Sequence, residues 1–289
     1  PRILFDFMEI QKKNLNKYHP KAQLWMSPQG FDRKGKNRDG WLKEFLNIMQ
    51  NDQPDWLGGV VFGPQVEMTL PDLRKALPAK YPIRRYPDIT HCRSCQYAVE
   101  NWDPACRTTV GREPINPRPV FYTRIFRDLY KYSMGYITYS EGCNDDFNKV
   151  LWSCLGWDTK MSPEQIAKEY SRYYIGSHYQ DKFAQGLFSL ERNWVGPLKD
   201  NDGVYKTLEL FQDMEKNATP QDKLNWRFQQ GIYRAYYDAY VKARLHYETD
   251  LEDQATIVLA KAKDTGADKA MDLAEAILDR AATDKVKPE

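Results

Sequence analysis

The sequence predicts an α/β protein: the C-terminal part of a (β/α)8 barrel followed by an α-helical domain. Over the first 160 residues, four short apolar segments alternate with helical patterns, which is typical of a parallel sheet. A polar cluster follows each apolar segment, and a barrel places its functional loops in the same way after every strand. We therefore predict the second half of a barrel over residues 1–160 and a helical domain over 161–289, in a chain that begins within a barrel and is a piece of a longer protein.

The helices and strands of the first part are predicted from the spacing of the apolar residues and from the capping residues and prolines that bound them. Ile3, Phe7 and Ile10 recur near helical spacing and predict a first helix. Thr69 is a predicted N-cap with Pro71 in the first turn of a later helix. The predicted strands lie at residues 22–26 and in the stretches DWLGGVVFGPQV, YPIRRYPDITHC and MGYITYS. The other predicted helices lie in DGWLKEFLNIMQ and VFYTRIFRDLYKYS, with a Pro- and Asn-rich loop at 97–119 between the third strand and the last helix.

The second part reads as helices alone. Ser162 as N-cap and Pro163 at the first helical position predict a helix that stops at Gly176. A long helix is predicted over DKLNWRFQQGIYRAYYDAYVKARLHYE, and the remaining sequence predicts two helices broken near Gly266. A doubly wound sheet is an alternative for the first part, although no Gly-x-Gly-x-x-Gly or Walker-type loop follows any of the strands.

Composition excludes several classes of protein and favours one ligand class. The net charge is +2, from 42 basic and 40 acidic residues spread along the chain, so no basic stripe predicts nucleic-acid binding. No apolar run approaches the ~20 residues of a membrane span. The 19 Tyr and 8 Trp suit carbohydrate binding, because their rings cover the C–H face of a sugar while their polar tips bond hydroxyls. The alternative is an aromatic-rich helical core.

The cysteines do not predict a cofactor. There are five, and the odd number argues against a complete disulfide framework. The motif Cys92-x-x-Cys95 beside His91 is of a kind found in zinc sites and in redox sites. However, no second pair of ligands follows at the spacing of a zinc finger. We therefore predict neither a metal nor another cofactor.

The last predicted strand is followed by the stretch YSEGCNDDFNK. Glu141, Asn144 and Asp145 are candidate substrate-binding residues, because a carboxylate or amide there could bond sugar hydroxyls or stabilise positive charge in an oxocarbenium-like transition state. The alternative is helix capping, with Asn144 at the N-cap and Asp145 and Asp146 in the first turn. The two interpretations are compatible, since Glu141 precedes the cap.

Polar residues at the other strand ends complete the candidate site. Asp88 and His91 follow the third strand, where the imidazole could donate to a hydroxyl or relay a proton. A buried, hydrogen-bonded structural histidine is the alternative. Gln29 and Gln65 each follow a strand as part of a Pro-Gln pair, and their amides could bond hydroxyls or stabilise turns.

The order of these strand-end motifs resembles that of the family 84 glycoside hydrolases, the O-GlcNAcase-like β-N-acetylglucosaminidases. The motifs are LWMSPQGF, GVVFGPQV, RRYPDITH and YSEGCNDDFNKVLWSCLGWD. The stretch NKVLWSCLGWDTKMSPEQIAKEYSRYYIG is also similar to the barrel exit of family 67 α-glucuronidases. The resemblance covers residues 20–176 and lies in the order of the motifs.

The resemblance implies a fragment of a glycoside hydrolase acting on β-linked N-acetylhexosamine, with a glycan or glycoside as the partner. The family 84 catalytic acid pair would lie upstream of Pro1, so the catalytic residues stay unassigned. One alternative is an α-glucuronidase-like hydrolase, in which Arg93 and Arg112 would bind a carboxylate. Another is a non-catalytic carbohydrate-binding protein. If the protein is bacterial, a periplasmic or extracellular location is expected.

Overall fold

The chain divides into two structural units. The computed structural model describes residues 1–29, 38–93, 95–109 and 114–287. The first unit combines Pro1–Ala98 with Val120–Met161, and the second combines Val99–Pro119 with Ser162–Glu289. Over the described ranges, no helix has both the length and the apolarity needed to cross a bilayer.

The first unit is built on a four-stranded parallel sheet. Its strands are β1 (Leu24–Met26), β2 (Leu57–Phe62), β3 (Ile83–Arg85) and β4 (Gly135–Tyr136). Each strand pairs in parallel with the next one in the chain, in the order β1-β2-β3-β4. All four predicted strands are confirmed. The described strands form an open sheet and do not close into a barrel.

One face of this sheet carries the core of the first unit. Met26, Val60 and Ile83 stand in register on that face and are almost fully buried. Phe5, Phe45 and Leu73, from the flanking helices, pack into the same cluster. On the opposite face, Trp25, Val61 and Arg84 are half-buried, with the Arg84 guanidinium 5.3 Å from the Trp25 ring. The two faces of the sheet therefore lie in different environments.

The helices of the first unit alternate with the strands along the chain, as the sequence predicts. They are α1 (Arg2–Tyr18), α2 (Arg38–Asn51), α3 (Leu70–Ala76), α5 (Pro119–Leu129, whose first residue belongs to the second unit), a 3-10 turn (Tyr130–Tyr132) and α6 (Asp146–Trp157). The predicted N-cap of α3 is confirmed, because the Thr69 hydroxyl accepts from the Asp72 N–H at 3.3 Å. Pro71 occupies the first turn, where the missing N–H costs no helical hydrogen bond.

Residues 99–119 belong to the second unit, whereas the sequence analysis placed them in the first. They contain one short helix, α4 (Pro104–Thr109). The Trp102 ring lies 4.6 Å from the Trp194 ring, and the Asp103 carboxylate accepts from the Leu198 N–H at 2.8 Å. These contacts join sequence positions about ninety residues apart, which hydrophobic periodicity cannot reveal.

The rest of the second unit is helical. Its helices are α7 (Pro163–Tyr170), a π-helical turn (Ser171–Ile175), a 3-10 turn (Ser177–Tyr179), α8 (Gln180–Asn193), α9 (Gly203–Asn217), α10 (Pro220–Lys223), α11 (Trp226–Ala260), α12 (Ala262–Thr265), α13 (Ala267–Leu278) and α14 (Arg280–Thr283). The predicted Ser162 cap and the break at Gly266 are confirmed. The long helix begins later than predicted, because the Asn225 side chain accepts from the N–H groups of Arg227 and Phe228 and so caps α11.

A buried polar network lies inside the second unit. The Asp238 carboxylate accepts from Arg234 Nε at 2.8 Å, Trp194 Nε1 at 2.7 Å and Asn193 Nδ2 at 2.9 Å. The Arg234 guanidinium also donates to the carbonyls of Ile115 and Leu190, and it lies 3.3 Å from the centre of the Trp194 ring. Both charged side chains are completely buried, so each charge offsets the unfavourable burial of the other.

Candidate functional site

The candidate site forms where the pairing of β3 and β4 continues past the ends of the two strands. Asp88 and Tyr139 form an isolated parallel bridge, and the Tyr139 N–H donates to the Pro87 carbonyl at 2.8 Å. This extended pairing brings together Asp88, His91, Tyr139, Glu141 and Asp145, which we call the strand-end cluster. All five lie at the carboxyl edge of the sheet, where open α/β sheets bind their ligands.

A series of polar contacts runs through the cluster. Asp88 Oδ2 lies 2.8 Å from His91 Nδ1, and His91 Nε2 lies 3.2 Å from Glu141 Oε1. The Tyr139 hydroxyl donates to the same Glu141 oxygen at 2.8 Å, and the Tyr139 ring stacks on the imidazole with centroids 5.6 Å apart. The side chain of His91 is 34% exposed and that of Glu141 is 23% exposed, so both reach solvent. A ligand at this edge would therefore meet the imidazole and the Glu141 carboxylate.

Asp88 fixes the orientation of the His91 imidazole. Its side chain is 7% exposed. Its Oδ1 atom accepts from the backbone N–H groups of Thr90 at 3.0 Å and His91 at 3.2 Å, while Oδ2 faces the ring. The described geometry gives Asp88 the role of fixing His91, and its direct contact with a ligand stays a prediction.

The protonation of His91 decides whether its contact with Glu141 is favourable. A carboxylate is an acceptor, so the Asp88 contact requires the hydrogen to lie on Nδ1. An imidazole protonated on Nδ1 alone would present a lone pair at Nε2 to the Glu141 oxygen, and two acceptors repel. The 3.2 Å contact is therefore favourable only with a proton between Nε2 and Oε1. The pair His91–Glu141 can accordingly donate a proton to a ligand oxygen or accept one from it.

Asp145 ties the two strand-end loops together. Its carboxylate is completely buried and accepts from the Thr90 hydroxyl, from the Ser140 hydroxyl at 3.0 Å and from the Glu141 N–H at 3.0 Å. The prediction that Asn144 is the N-cap of α6 is wrong. The N-cap is Asp145, and its side chain makes no capping bond because Thr90, Ser140 and Glu141 use its oxygens. Asp145 thus positions Glu141 within the cluster.

The remaining predicted residues lie elsewhere. Gln29 and Gln65 form their own pair beyond β1 and β2, where the Gln29 side-chain oxygen accepts from the Gln65 N–H at 3.4 Å. The Gln29 amide lies against Gly63, where an added Cβ would displace it. Asn144 is half-buried beside the cluster. Arg93 is exposed, and Arg112 lies outside the described residues.

The cysteines and acidic groups do not form a metal site in the described ranges. Within them, no three His, Cys, Asp or Glu side chains are placed to hold a metal ion. Cys92 is buried, and Cys95 Sγ donates to the His91 carbonyl at 3.3 Å. In the second unit, burial raises the pKa of the Cys106 thiol to about 12, so this thiol stays protonated and is a poor metal ligand at neutral pH.

Tyr139 provides a direct test of this geometry. Its hydrogen bond to Glu141 raises the pKa of the phenol above the usual value of about 10. Because the folded-state pKa is raised, this bond stabilises the protein below about pH 10, and its contribution is lost as the pH rises through the folded-state pKa. In Glu141→Ala, the pKa of Tyr139 should fall toward its usual value.

This titration can be followed by the NMR shift of ring-labelled tyrosine, with Tyr139→Phe identifying the signal. Glu67→Ala, an exposed acid beyond β2, is the matched control and should leave the pKa of Tyr139 unchanged. An identical titration in wild type and Glu141→Ala would show that the Tyr139–Glu141 hydrogen bond does not form.

Sequence reasoning missed three groups that build the site. Tyr139 belongs to the site through its hydroxyl contact with Glu141, which follows from the extended pairing of β3 and β4 and has no signal in the sequence. Thr90 and Ser140 were not singled out, although both hydroxyls donate to Asp145. An Asp at the start of a helix carries no sequence signal that distinguishes a buried position such as that of Asp145 from an ordinary cap.

The comparisons with known proteins leave the chain without an assigned family. No protein-family model, curated protein or solved structure matches it.

Proposed function

We propose that this chain contributes the sugar-binding residues of a glycoside hydrolase that acts on β-linked N-acetylhexosamine. The observation that carries the proposal is the array Asp88–His91–Glu141 at the carboxyl edge of the sheet. It presents a carboxylate, an imidazole and a tyrosine ring to solvent at one place. Sugar hydroxyls need donors and acceptors beside an apolar ring face, and this set supplies all three.

The proposal includes a finer statement about the fold, namely that the sheet is half of a (β/α)8 barrel. The strand order β1-β2-β3-β4 supports it, since doubly wound sheets reverse direction at a switch point and barrels do not. The sheet also packs its helices against the face that carries Val60. The half-buried face with Trp25 and Arg84 would then line the barrel interior.

In the proposed mechanism, His91 and Glu141 bind the sugar and exchange the proton that they share. A hydroxyl placed against Glu141 can donate to the carboxylate, while Nε2 of His91 donates to a second sugar oxygen. Asp88 keeps the hydrogen on Nδ1, which fixes the orientation of the ring. Glu141 can also stabilise positive charge that develops on the sugar in the transition state. The acid and base that cleave the glycosidic bond are not assigned.

Binding of a simple glycoside tests the proposal. Methyl N-acetyl-β-glucosaminide titrated into the 289-residue chain should bind, as measured by calorimetry. Glu141→Ala should weaken binding by about 10- to 100-fold, since a hydrogen bond to a charged group contributes about 1.5–3 kcal/mol. Glu67→Ala is the matched control and should bind as wild type does.

Two further measurements separate the alternatives. Methyl β-glucoside, which lacks the acetamido group, should bind more weakly if the substrate is an N-acetylhexosamine. Release of nitrophenol from 4-nitrophenyl N-acetyl-β-glucosaminide distinguishes a hydrolase from a binding protein, because a binding protein would take up the sugar without turnover. If no glycoside binds, or if Glu141→Ala binds as well as wild type, the proposed function is wrong.

A further inference from the structure

Four aromatic side chains line one face of α11 in the second unit. They are Trp226, Tyr233, Tyr237 and Tyr240, which we call the aromatic stripe. Trp226, Tyr233 and Tyr240 recur at every seventh position, and Tyr237 lies one turn after Tyr233, so helical geometry places all four on the same side. Tyr233 is 56% exposed and Tyr240 is 42% exposed. A helix usually presents charged side chains to solvent, so this face calls for an explanation.

The charged residues of this part of α11 lie on its other side. Between residues 228 and 240 the only charged side chains are Arg234 and Asp238, and both are buried in their ion pair. The polar side chains beside the stripe are the amides of Gln229, which is exposed, and Gln230, which is half-buried. Over this range α11 therefore presents rings, hydroxyls and amides to solvent, and no charged side chain of its own.

The rings of the stripe are held in defined orientations. Tyr233 and Tyr237 are nearly parallel, with 23° between their planes and 6.2 Å between their centroids. The Trp226 ring lies 4.3 Å from the Arg227 guanidinium, which also lies 4.4 Å from the Tyr174 ring. Tyrosine and tryptophan side chains have few torsions to lose, so a ligand that lies on them pays little conformational entropy.

The stripe ends where the C-terminal residues contact α11. Arg244 and Tyr247 lie further along the same face, and there Arg244 donates to the Ala281 carbonyl at 2.9 Å while the Tyr247 hydroxyl donates to Asp284. The stripe itself runs for about 20 Å along the helix, with about 10 Å between rings that are seven residues apart. These dimensions suit a long, straight ligand better than a single small molecule.

We propose that the aromatic stripe is a binding site for a neutral, β-linked glycan chain. β-Linkages keep a hexose chain extended, so the C–H faces of its rings are available along a straight line, and aromatic rings cover such faces. The sugar hydroxyls would bond the phenol tips and the neighbouring amides. A neutral chain also matches a helix face that carries no charge. The inference goes beyond the proposed function, because it concerns the second unit and stands even if the strand-end cluster binds no sugar.

Other classes of partner match the stripe less well. Helices that pair between two copies of a chain place aliphatic side chains along their seam, whereas the repeat here consists of one Trp and two Tyr, whose polar tips would lose water on pairing. A nucleic acid would require basic side chains beside the rings, and α11 has none exposed between residues 228 and 240. The glycan is therefore the occupant that these side chains favour.

The test uses hexasaccharides and the full 289-residue chain with Glu141→Ala, in which the strand-end cluster is impaired. By calorimetry, N-acetylchitohexaose or cellohexaose, which are both β-linked, should bind, and the α-linked, curved maltohexaose should bind more weakly. Tyr233→Ala and Tyr240→Ala should each weaken the β-linked hexaose by about 3- to 10-fold, the effect of one ring contact. Rings about 10 Å apart act independently, so the double variant should lose about 10- to 100-fold.

Two further variants are the controls. Tyr18→Ala removes an exposed tyrosine at the end of α1, in the first unit, and should bind the hexaose as the parent chain does. Tyr233→Phe keeps the ring and removes only the hydroxyl, so it should retain most of the affinity that Tyr233→Ala loses. Circular dichroism establishes that each variant is folded, as expected for changes at exposed positions.

Three results would overturn the proposal. The first is that neither β-linked hexaose binds, or that the double variant binds as tightly as the parent chain. The second is equal affinity for maltohexaose, which removes the assignment to a β-linked chain. The third comes from sedimentation: a dimer that the double variant converts to monomers, with no hexaose bound, would show that the stripe is an interface between two copies of the chain.

The same measurements separate this inference from the proposed function. Binding of methyl N-acetyl-β-glucosaminide to wild type, with no hexaose bound by the Glu141→Ala chain, retains the proposed function and removes the glycan site on α11. Binding of a β-linked hexaose that depends on Tyr233 and Tyr240, with no binding of the methyl glycoside to wild type, supports the aromatic stripe and removes the proposed function.

Discussion

Asp238→Ala is expected to lower the free energy of unfolding of the second unit by about 3–5 kcal/mol, the usual cost of breaking a buried ion pair by removing one partner. Asp238 accepts hydrogen bonds from Arg234, Trp194 and Asn193, and its side chain is completely buried. Alanine would leave the Arg234 charge buried without its carboxylate and three donors without this acceptor. The effect should appear as a lower urea midpoint at an unchanged slope.

Two variants on the same helix give this prediction its controls. Asp250→Ala removes an exposed acid of α11 and should change the free energy of unfolding by no more than about 0.5 kcal/mol. The double replacement Arg234→Met with Asp238→Leu removes both charges and should recover much of the stability lost in Asp238→Ala. Equal urea midpoints for Asp238→Ala and Asp250→Ala would show that the buried pair does not stabilise this unit.

Asp145→Ala is expected to disrupt the strand-end cluster although Asp145 touches no ligand in our proposal. The substitution removes the acceptor shared by the Thr90 hydroxyl, the Ser140 hydroxyl and the Glu141 N–H. Leaving buried donors unsatisfied costs about 1–3 kcal/mol of stability. Because Glu141 is no longer held, methyl N-acetyl-β-glucosaminide should bind about 10-fold more weakly, as measured by calorimetry.

The adjacent acid provides the control for Asp145. Asp146 lies in the first turn of α6, with its carboxylate 3.8 Å from Lys149 Nζ. Asp146→Ala should cost only the 0.3–1 kcal/mol or so that an acid contributes at a helix N-terminus, with sugar binding retained. If Asp145→Ala loses stability and still binds sugar as wild type does, Asp145 stabilises the fold without positioning Glu141.

The local elements of the fold were predictable, and the long-range ones were not. Residues 22–26 and DWLGGVVFGPQV carry short apolar runs bounded by Pro and Gly, and both form strands of the parallel sheet. Thr69 and Ser162 cap helices through contacts three residues along the chain, which sequence spacing encodes directly. Residues 99–119, by contrast, are placed by Trp102 and Asp103 through partners near position 195, and no local pattern encodes such a pairing.

The candidate site shows the same division. Asp88, His91, Glu141 and Asp145 were selected because each follows a strand, and parallel strands bring such residues to one edge of the sheet. Their separate roles were hidden, because the sequence cannot show that Asp145 faces inward while Glu141 faces solvent. The burial of Arg85 could not be predicted for a related reason. A charged residue in a short strand usually points to solvent, whereas Arg85 is buried.

The assignment of residues 99–119 to the second unit has a consequence for cutting the chain. The second unit is assembled from two stretches that are separated in sequence by residues 120–161 of the first unit. A piece that starts at Ser162 would lack Trp102, the ring against Trp194, and the Ile115 carbonyl that accepts from Arg234. Neither unit can therefore be obtained whole by a single cut. A protease that cleaves only between residues 161 and 162 would split the second unit into two fragments, and each fragment would need the other to complete that unit.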